Sequence, residues 1–203
     1  GCGIVDIMMH TLERYLTPEG GESDITDRIA EGLLIAVRDA GRRAIANPRD
    51  YEARASLMWA GSVSHNDYTG CGRKRLFPVH KLEHELSAFR DEIAHGAGLS
   101  VLFPAWAEHE MQYDYPRFAQ FANRVLGVEM DFAHPERTAR EGIRTLRRFF
   151  EEIGMPTHLS LLGIKPENYE KLAANTVRTV NGPVKSYSPL DEKAIIEIYH
   201  LAE

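Results

Sequence analysis

Two polar residues interrupt an apolar helical segment near the start of the sequence and are the first candidates for chemistry. Asp6 and His10 are four residues apart, so their side chains leave the same face of a helix. The residues around them, 4–9, are otherwise apolar. Because a buried carboxylate is costly unless it is paired or binds a cation, Asp6 predicts either a pair with His10 or an arginine, or a cation site.

Three further histidines extend this set. His80 and His84 repeat the four-residue spacing, and His95 precedes the small residues 96–98 at the expected start of a helix. Lys81 stands where the H-E-x-x-H motif of zinc proteases has its glutamate, which excludes that class. One carboxylate and up to three imidazoles suit Fe(II) or Zn(II) better than Mg(II) or Ca(II), which prefer oxygen ligands. The residue types therefore indicate a transition-metal site.

The elements that must hold these residues are helices, because apolar positions recur every three or four residues and strand-like alternation is nearly absent. We predict one all-α, multi-helix domain over residues 1–203, with no internal repeat and no linker. The last helix is expected to begin at Pro189 after a capping Ser188, with Asp191 in its first turn. One predicted helix follows residues 95–98 and runs through residue 106, with a kink at Pro104. The other predicted helices cover residues 4–16, 27–46, 51–65, 79–89, 116–126, 135–153, 166–177 and 189–201.

Composition narrows the class of protein. A chain of 203 residues with 43% hydrophobic and 27% charged residues is typical of a globular domain and excludes a disordered or collagen-like protein. The net charge of -6 argues against a nucleic-acid partner, and the apolar runs are too short to span a membrane. Two cysteines without a C-x-x-C pair favour a reducing, cytoplasmic setting.

Two features of the sequence favour a fragment of a longer protein. The chain opens with Gly1 and enters an apolar segment at once, whereas mature termini are usually polar. It also has no predicted strand followed by a glycine-rich phosphate-binding motif, so a nucleotide site built wholly within this chain is not expected. We therefore expect that the natural N-terminal part is absent.

Three sequence blocks carry a more specific resemblance. Residues 3–15, 80–88 and 94–99 are similar, in this order, to the signature blocks of the iron-containing (family III) alcohol dehydrogenases, and the butanol dehydrogenase branch is the most similar. The similarity extends through residues 57–62 to 188–191 and so covers essentially the whole chain. Three ordered blocks make chance agreement improbable.

The resemblance implies a fold and a set of roles. In that family an N-terminal domain binds NAD or NADP and a helical C-terminal domain carries the metal, so this chain is expected to be the helical half without its nucleotide-binding domain. The family's metal ligands fall on Asp6, His10, His80 and His95, with Fe(II) or Zn(II) as the expected metal. His84 falls on the histidine that the family places beside the nicotinamide, and it is a candidate for relaying the alcohol proton.

The activity implied by the resemblance is the interconversion of primary alcohols and aldehydes, with substrates such as butanol and butyraldehyde and with a homodimer as the expected assembly. The 203-residue chain alone is expected to be inactive, because hydride transfer needs the nicotinamide held against the substrate. Metal occupancy is expected to fall as the pH drops through the histidine range. One departure concerns the cleft wall, where Leu76 and Phe77 replace an Asp-Trp pair of many members.

Two alternatives remain open from the residues alone. A ferritin-like di-iron protein is suggested by two E-x-x-H matches, 92–95 and 197–200, but the first lies in a short loop and the second near the terminus, whereas that site needs long facing helices. A non-catalytic helical interaction module would use the same histidines as hydrogen-bonded core residues. The histidines expected at the surface or in caps are His65, His109, His134, His158 and His200.

Overall fold

Nine α-helices account for most of residues 1–21 and 23–203, the part of the chain that this computed structural model describes. Extended pairing within these residues is limited to two isolated bridges, Gly20 with Arg73 and Val184 with Leu190. The predicted all-α fold class is therefore confirmed. The helices are α1 (Cys2–Tyr15), α2 (Asp24–Ala46), α3 (Tyr51–His65), α4 (Pro78–Phe89), α5 (His95–Glu110), α6 (Tyr115–Leu126), α7 (Pro135–Glu152), α8 (Tyr169–Thr179) and α9 (Glu192–Leu201).

Helix α5 is the central helix because its sequence is apolar around nearly its whole circumference. All residues of its segment 99–107 are buried, and the helix packs against α1, α4, α7 and α9. It continues past Pro104 to Glu110, beyond the predicted end at residue 106. The helix that begins with His95 is thus anchored in the core.

The outer helices are amphipathic. Helix α7 exposes its charged residues and buries a stripe that includes Ile143, Leu146 and Phe150. At Gly142 its backbone comes so close to α6 that an added Cβ would overlap the Cβ of Ala122. Among the described residues, none of the helices combines the length and the apolar character that crossing a bilayer requires.

The start of the last helix differs from the prediction. Helix α9 begins at Glu192 rather than Pro189, and its N-cap Asp191 accepts a backbone N–H bond at 2.9 Å. Ser188 does not cap the helix, because its backbone N–H and its hydroxyl donate to the buried Glu110 at 2.9 and 2.7 Å. Tertiary hydrogen bonds override the local capping signal here.

Two other boundaries also differ from the prediction. Helix α2 begins three residues early, at Asp24 instead of residue 27, and Ser23 precedes it as N-cap. The predicted helix 166–177 is divided into a 3₁₀ turn, Pro166–Asn168, and α8, which continues to Thr179. Helix ends depend on a few competing local bonds, so patterns of apolar residues define them poorly.

The small residues after His95 let the first turn of α5 approach two other helices. At Gly96 an added Cβ would lie 2.6 Å from Cα of Cys2 on α1. At Gly98 an added Cβ would lie 2.6 Å from Cγ of Glu83 on α4. A side chain at either position would therefore hold α5 away from its neighbours.

Candidate metal centre

Three helices bring the four expected ligand residues together. Helix α1 carries Asp6 and His10 one turn apart, α4 carries His80, and α5 begins with His95. The Oδ1 atom of Asp6 lies 3.5 Å from Nε2 of His10 and 3.6 Å from Nε2 of both His80 and His95. Three imidazole nitrogens thus surround one carboxylate oxygen, and we call Asp6, His10, His80 and His95 the cluster. Asp6, His10 and His80 have ligand atoms within 4.8 Å of one another, whereas His95 falls in an adjoining group with Glu83 and His84.

The cluster passes two tests of fit for a metal ion. Oxygen-to-nitrogen edges of 3.5–3.6 Å are what a tetrahedral site with bonds of about 2.1–2.2 Å would have. Oδ1 of Asp6 and Nε2 of His80 are also buried without a hydrogen-bond partner among the described residues. Because buried polar atoms are normally satisfied, these two atoms favour a cation at this point.

The surroundings shift the pKa values of the cluster residues in different directions. Burial and the neighbouring His80 lower the pKa of His10 to about 4, so His10 is neutral near pH 7. Burial also acts to lower the pKa of His80, but the carboxylates of Asp6 and Glu13 outweigh it and raise that pKa to about 9. Burial opposes ionisation of Asp6, yet the nearby histidines hold its pKa below the ordinary value. A metal ion would therefore replace a proton on His80.

His84, the expected proton relay, lies beside the cluster. Its ring stacks on His95 with centroids 5.5 Å apart and lies 6.3 Å from the ring of His80. The residue is exposed to solvent, yet partial desolvation of its ring together with the neighbouring histidines lowers its pKa despite the charge of Glu83. An exposed imidazole thus lies next to the rings of His80 and His95.

Phe77 forms part of the wall at the departure from the family pattern. Its ring centroid lies 5.3 Å from that of His10 and 5.0 Å from that of His80. Its backbone has φ of 51°, a left-handed conformation that is unusual for an aromatic residue. The guanidinium of Arg14 lies 5.4 Å from the ring centroid. This packing fixes an aromatic side chain against two members of the cluster.

Sequence reasoning missed three residues at this site. Glu13 and Glu83 are buried charged residues whose carboxylates bond to His80 and His95. His65 remains partly exposed, as expected, but its Nε2 atom lies 3.5 Å from Oδ2 of Asp6. The glutamates lie seven residues after Asp6 and three after His80, which is compatible with the same helix faces but does not by itself indicate burial.

His109, which was expected at the surface or in a cap, is largely buried. The side chain of His109 is only 11% exposed, because it lies between Glu110 and Glu197. His134 and His200 are exposed as expected. His109 bonds to Glu110 through Nδ1 at 2.9 Å, and none of its contacts reaches the cluster of Asp6.

Comparisons with known proteins show the family to which this helical domain belongs. Residues 2–202 match the C-terminal part of the Fe-containing alcohol dehydrogenase family. NADH-dependent butanol dehydrogenase A of Clostridium acetobutylicum is 36% identical over 199 residues, which cover 98% of this chain and 50% of that protein. NADPH-dependent aldehyde reductase YqhD of Escherichia coli is 34% identical over 162 residues, which cover 80% of this chain and 41% of that protein.

Solved structures agree with the sequence relatives. The crystal structure of NADH-dependent butanol dehydrogenase A from Thermotoga maritima superposes with a TM-score of 0.91 at 32% identity, covering 99% of this chain and 51% of that chain. The chain therefore belongs to the Fe-containing alcohol dehydrogenase family and corresponds to its C-terminal part. It spans about half the length of the relatives that it matches.

Proposed function

We propose that this chain is the metal-binding part of an NAD(P)-dependent alcohol dehydrogenase that interconverts primary alcohols and aldehydes. The observation that carries the proposal is the cluster in which one oxygen of Asp6 lies 3.5–3.6 Å from three histidine Nε2 atoms. The proposed ligands are Asp6, His10, His80 and His95, and the proposed metal is Fe(II) or Zn(II). Relatives named butanol dehydrogenase and aldehyde reductase support small alcohols and aldehydes as substrates.

The residues around the cluster have distinct parts in this proposal. When bound, a divalent metal supplies a Lewis acid for the alcohol or aldehyde oxygen. His84 is neutral near pH 7 because burial lowers its pKa, so its imidazole can accept the proton that the alcohol releases. Phe77 packs against His10 and His80 and so limits the access of water on that side.

We propose further that the dinucleotide is held by a domain outside these 203 residues. The described residues form no sheet, whereas dinucleotide sites of the common kind are built on strand-to-helix turns. The longer relatives have a second half that this chain does not match. Relatives named NADH-dependent and NADPH-dependent keep both nucleotides as candidates.

The experiment compares the 203-residue chain with a longer protein that includes about 180 residues of upstream coding sequence, enough for a domain of ordinary size. Both proteins are loaded with Fe(II) or Zn(II) and assayed for NADH and NADPH consumption with butyraldehyde. We expect turnover only by the longer protein, and we expect His80→Ala to abolish it. His84→Ala should lower turnover about 10²- to 10⁴-fold, the usual contribution of general acid–base catalysis, without lowering the metal content.

Two outcomes would contradict the proposal. Robust turnover by the short chain would show that it binds the dinucleotide itself. Inactivity of a folded, metal-loaded longer protein with several alcohols and aldehydes would overturn the dehydrogenase assignment.

A cytoplasmic location and a homodimeric assembly complete the proposal. Cys2 and Cys71 are both free thiols, which suits a reducing compartment. Helix α3 exposes Tyr51, Met58 and Trp59, each at least 70% accessible, and exposed aromatic and methionine side chains are enriched at protein interfaces. Light scattering of the longer protein tests the assembly, with twice the monomer mass as the expected result.

A further inference from the structure

Two buried glutamates lie behind the cluster of proposed ligands. Glu13 on α1 is 1% exposed and Glu83 on α4 is 0% exposed. Burying a carboxylate costs several kcal/mol unless it is paired and hydrogen-bonded. Each of these glutamates must therefore have a compensating partner, and in both cases that partner is a histidine of the cluster.

Glu13 is bonded through both carboxylate oxygens. Its Oε2 atom bonds to Nδ1 of His80, and its Oε1 atom accepts the backbone N–H of Val79 at 2.6 Å. Because a carboxylate accepts, Nδ1 of His80 is the donor in this pair. The other ring nitrogen, Nε2, then points toward Asp6 at 3.6 Å.

Glu83 on α4 repeats the arrangement with His95 on α5. Its Oε2 atom bonds to Nδ1 of His95, and its Oε1 atom accepts the hydroxyl of Ser87. Gly98 on α5 leaves the space for it, since an added Cβ would lie 2.6 Å from Cγ and from Oε1 of Glu83. Nε2 of His95 is left facing Asp6 at 3.6 Å.

We propose that Glu13 and Glu83 are positioning residues that hold His80 and His95 in the tautomer and orientation needed to bind a divalent metal through Nε2. A carboxylate that accepts Nδ1–H of a metal-binding histidine fixes the ring and strengthens it as a ligand. The inference rests on the metal centre proposed above. His10 differs, because its Nδ1 atom is buried with no partner among the described residues, so the support is specific to two of the three histidines.

The test measures the affinity of the 203-residue chain for Zn²⁺ by competition with a chromogenic chelator. Glu13→Gln and Glu83→Gln should each weaken binding about 10- to 100-fold. Glu110→Gln is the matched control, because Glu110 is also fully buried and also bonds to a histidine Nδ1, that of His109 at 2.9 Å. We expect the control to stay within about twofold of the unaltered chain, the scatter of such measurements.

A second pair of variants separates the position of the Glu83 carboxylate from its charge. Gly98→Ala keeps the carboxylate of Glu83 but displaces it, and it should weaken Zn²⁺ binding as Glu83→Gln does. Gly32→Ala is its control, because an added Cβ at Gly32 on α2 meets nothing within 4 Å. Circular dichroism and thermal unfolding of each variant show whether it is folded.

Nuclear magnetic resonance of the zinc-loaded, unaltered chain reads the tautomers directly. We expect His80 and His95 to carry the proton on Nδ1 and to have no proton on Nε2. A proton on Nε2 of either ring, or glutamine variants that are folded and bind Zn²⁺ as tightly as the unaltered chain, would overturn the positioning role and leave the metal centre standing. Failure of the unaltered chain to bind Zn²⁺ would overturn both.

Discussion

Replacing Asp6 by asparagine should separate metal binding from folding at this site. The change keeps the shape of the side chain and removes its charge, at an atom that lies 3.5 Å from His10 Nε2 and 3.6 Å from the Nε2 atoms of two further histidines. The carboxylate is the one negatively charged group in the proposed ligand set. A dication held by three neutral imidazoles and an amide is bound less tightly, because the amide is the weaker ligand.

The expected loss of Zn²⁺ affinity follows from the number of ligands. Four-ligand zinc sites bind with about 10–16 kcal/mol at pH 7, which is about 2.5–4 kcal/mol for each ligand if the contributions are equal. At 1.4 kcal/mol for each factor of ten, Asp6→Asn should weaken Zn²⁺ binding roughly 10²- to 10³-fold. The exposed Asp39, whose side chain is 54% accessible and pairs with Arg38, provides the matched control Asp39→Asn.

The assay is chelator competition with Zn²⁺ and, separately, with Co²⁺, on samples whose fold is checked by circular dichroism in the presence and absence of metal. The control should bind as the unaltered chain does. A folded Asp6→Asn variant that binds both metals within about threefold of the unaltered chain, well under the loss expected for one ligand, would refute the assignment of Asp6 as a ligand.

Three further predictions concern packing and pH. Gly142→Ala should destabilise the chain by about 1–3 kcal/mol through overlap with Ala122 and lower Tm by roughly 2–12 °C, whereas Gly32→Ala should raise Tm slightly. The bond to Glu110 raises the pKa of His109. His109 therefore stabilises the fold below its unfolded pKa of about 6.5, and this stabilisation is lost as the pH rises through the higher folded pKa. His109→Gln should thus lower the free energy of unfolding in urea more at pH 6 than at pH 9. Zn²⁺ affinity should fall about tenfold for each pH unit below 8 while one ligand proton is displaced, as followed by chelator competition.

Each of these predictions has a contrary result. Equal Tm for the two alanine variants would show that α6 and α7 do not approach closely at Gly142. A larger effect of His109→Gln at pH 9 than at pH 6 would reverse the assigned sign. Zn²⁺ affinity that is constant from pH 5 to pH 8 would show that no histidine proton competes with the metal.

The sequence predicted the helices well where the apolar period is long and the ends carry clear signals. Helix α3 has the predicted bounds, and it begins after Asp50, which caps it by accepting from Ala53 at 3.0 Å. The start of α9 could not be predicted, because Ser188 bonds to Glu110, a residue 78 positions away. A local sequence pattern cannot indicate a bond between residues so far apart in the chain.

The four candidate ligands could be found because polar residues at helical spacing stand out in apolar segments. Glu13 and Glu83 did not stand out, since each lies among other polar residues in a pattern typical of an exposed helix face. Their burial follows from the packing of α1 and α4 against α5 and from the absence of a side chain at Gly98. Such an arrangement depends on three helices at once, and a periodicity within one helix cannot reveal it.

The most direct test of the central claim is anomalous diffraction from crystals of the chain grown with Zn²⁺, recorded at the zinc absorption edge. The account predicts one strong site bonded to Oδ1 of Asp6 and to Nε2 of His10, His80 and His95, at about 2.0–2.2 Å from each. A zinc site elsewhere, coordination through Nδ1, or any of the four residues outside bonding distance would contradict it.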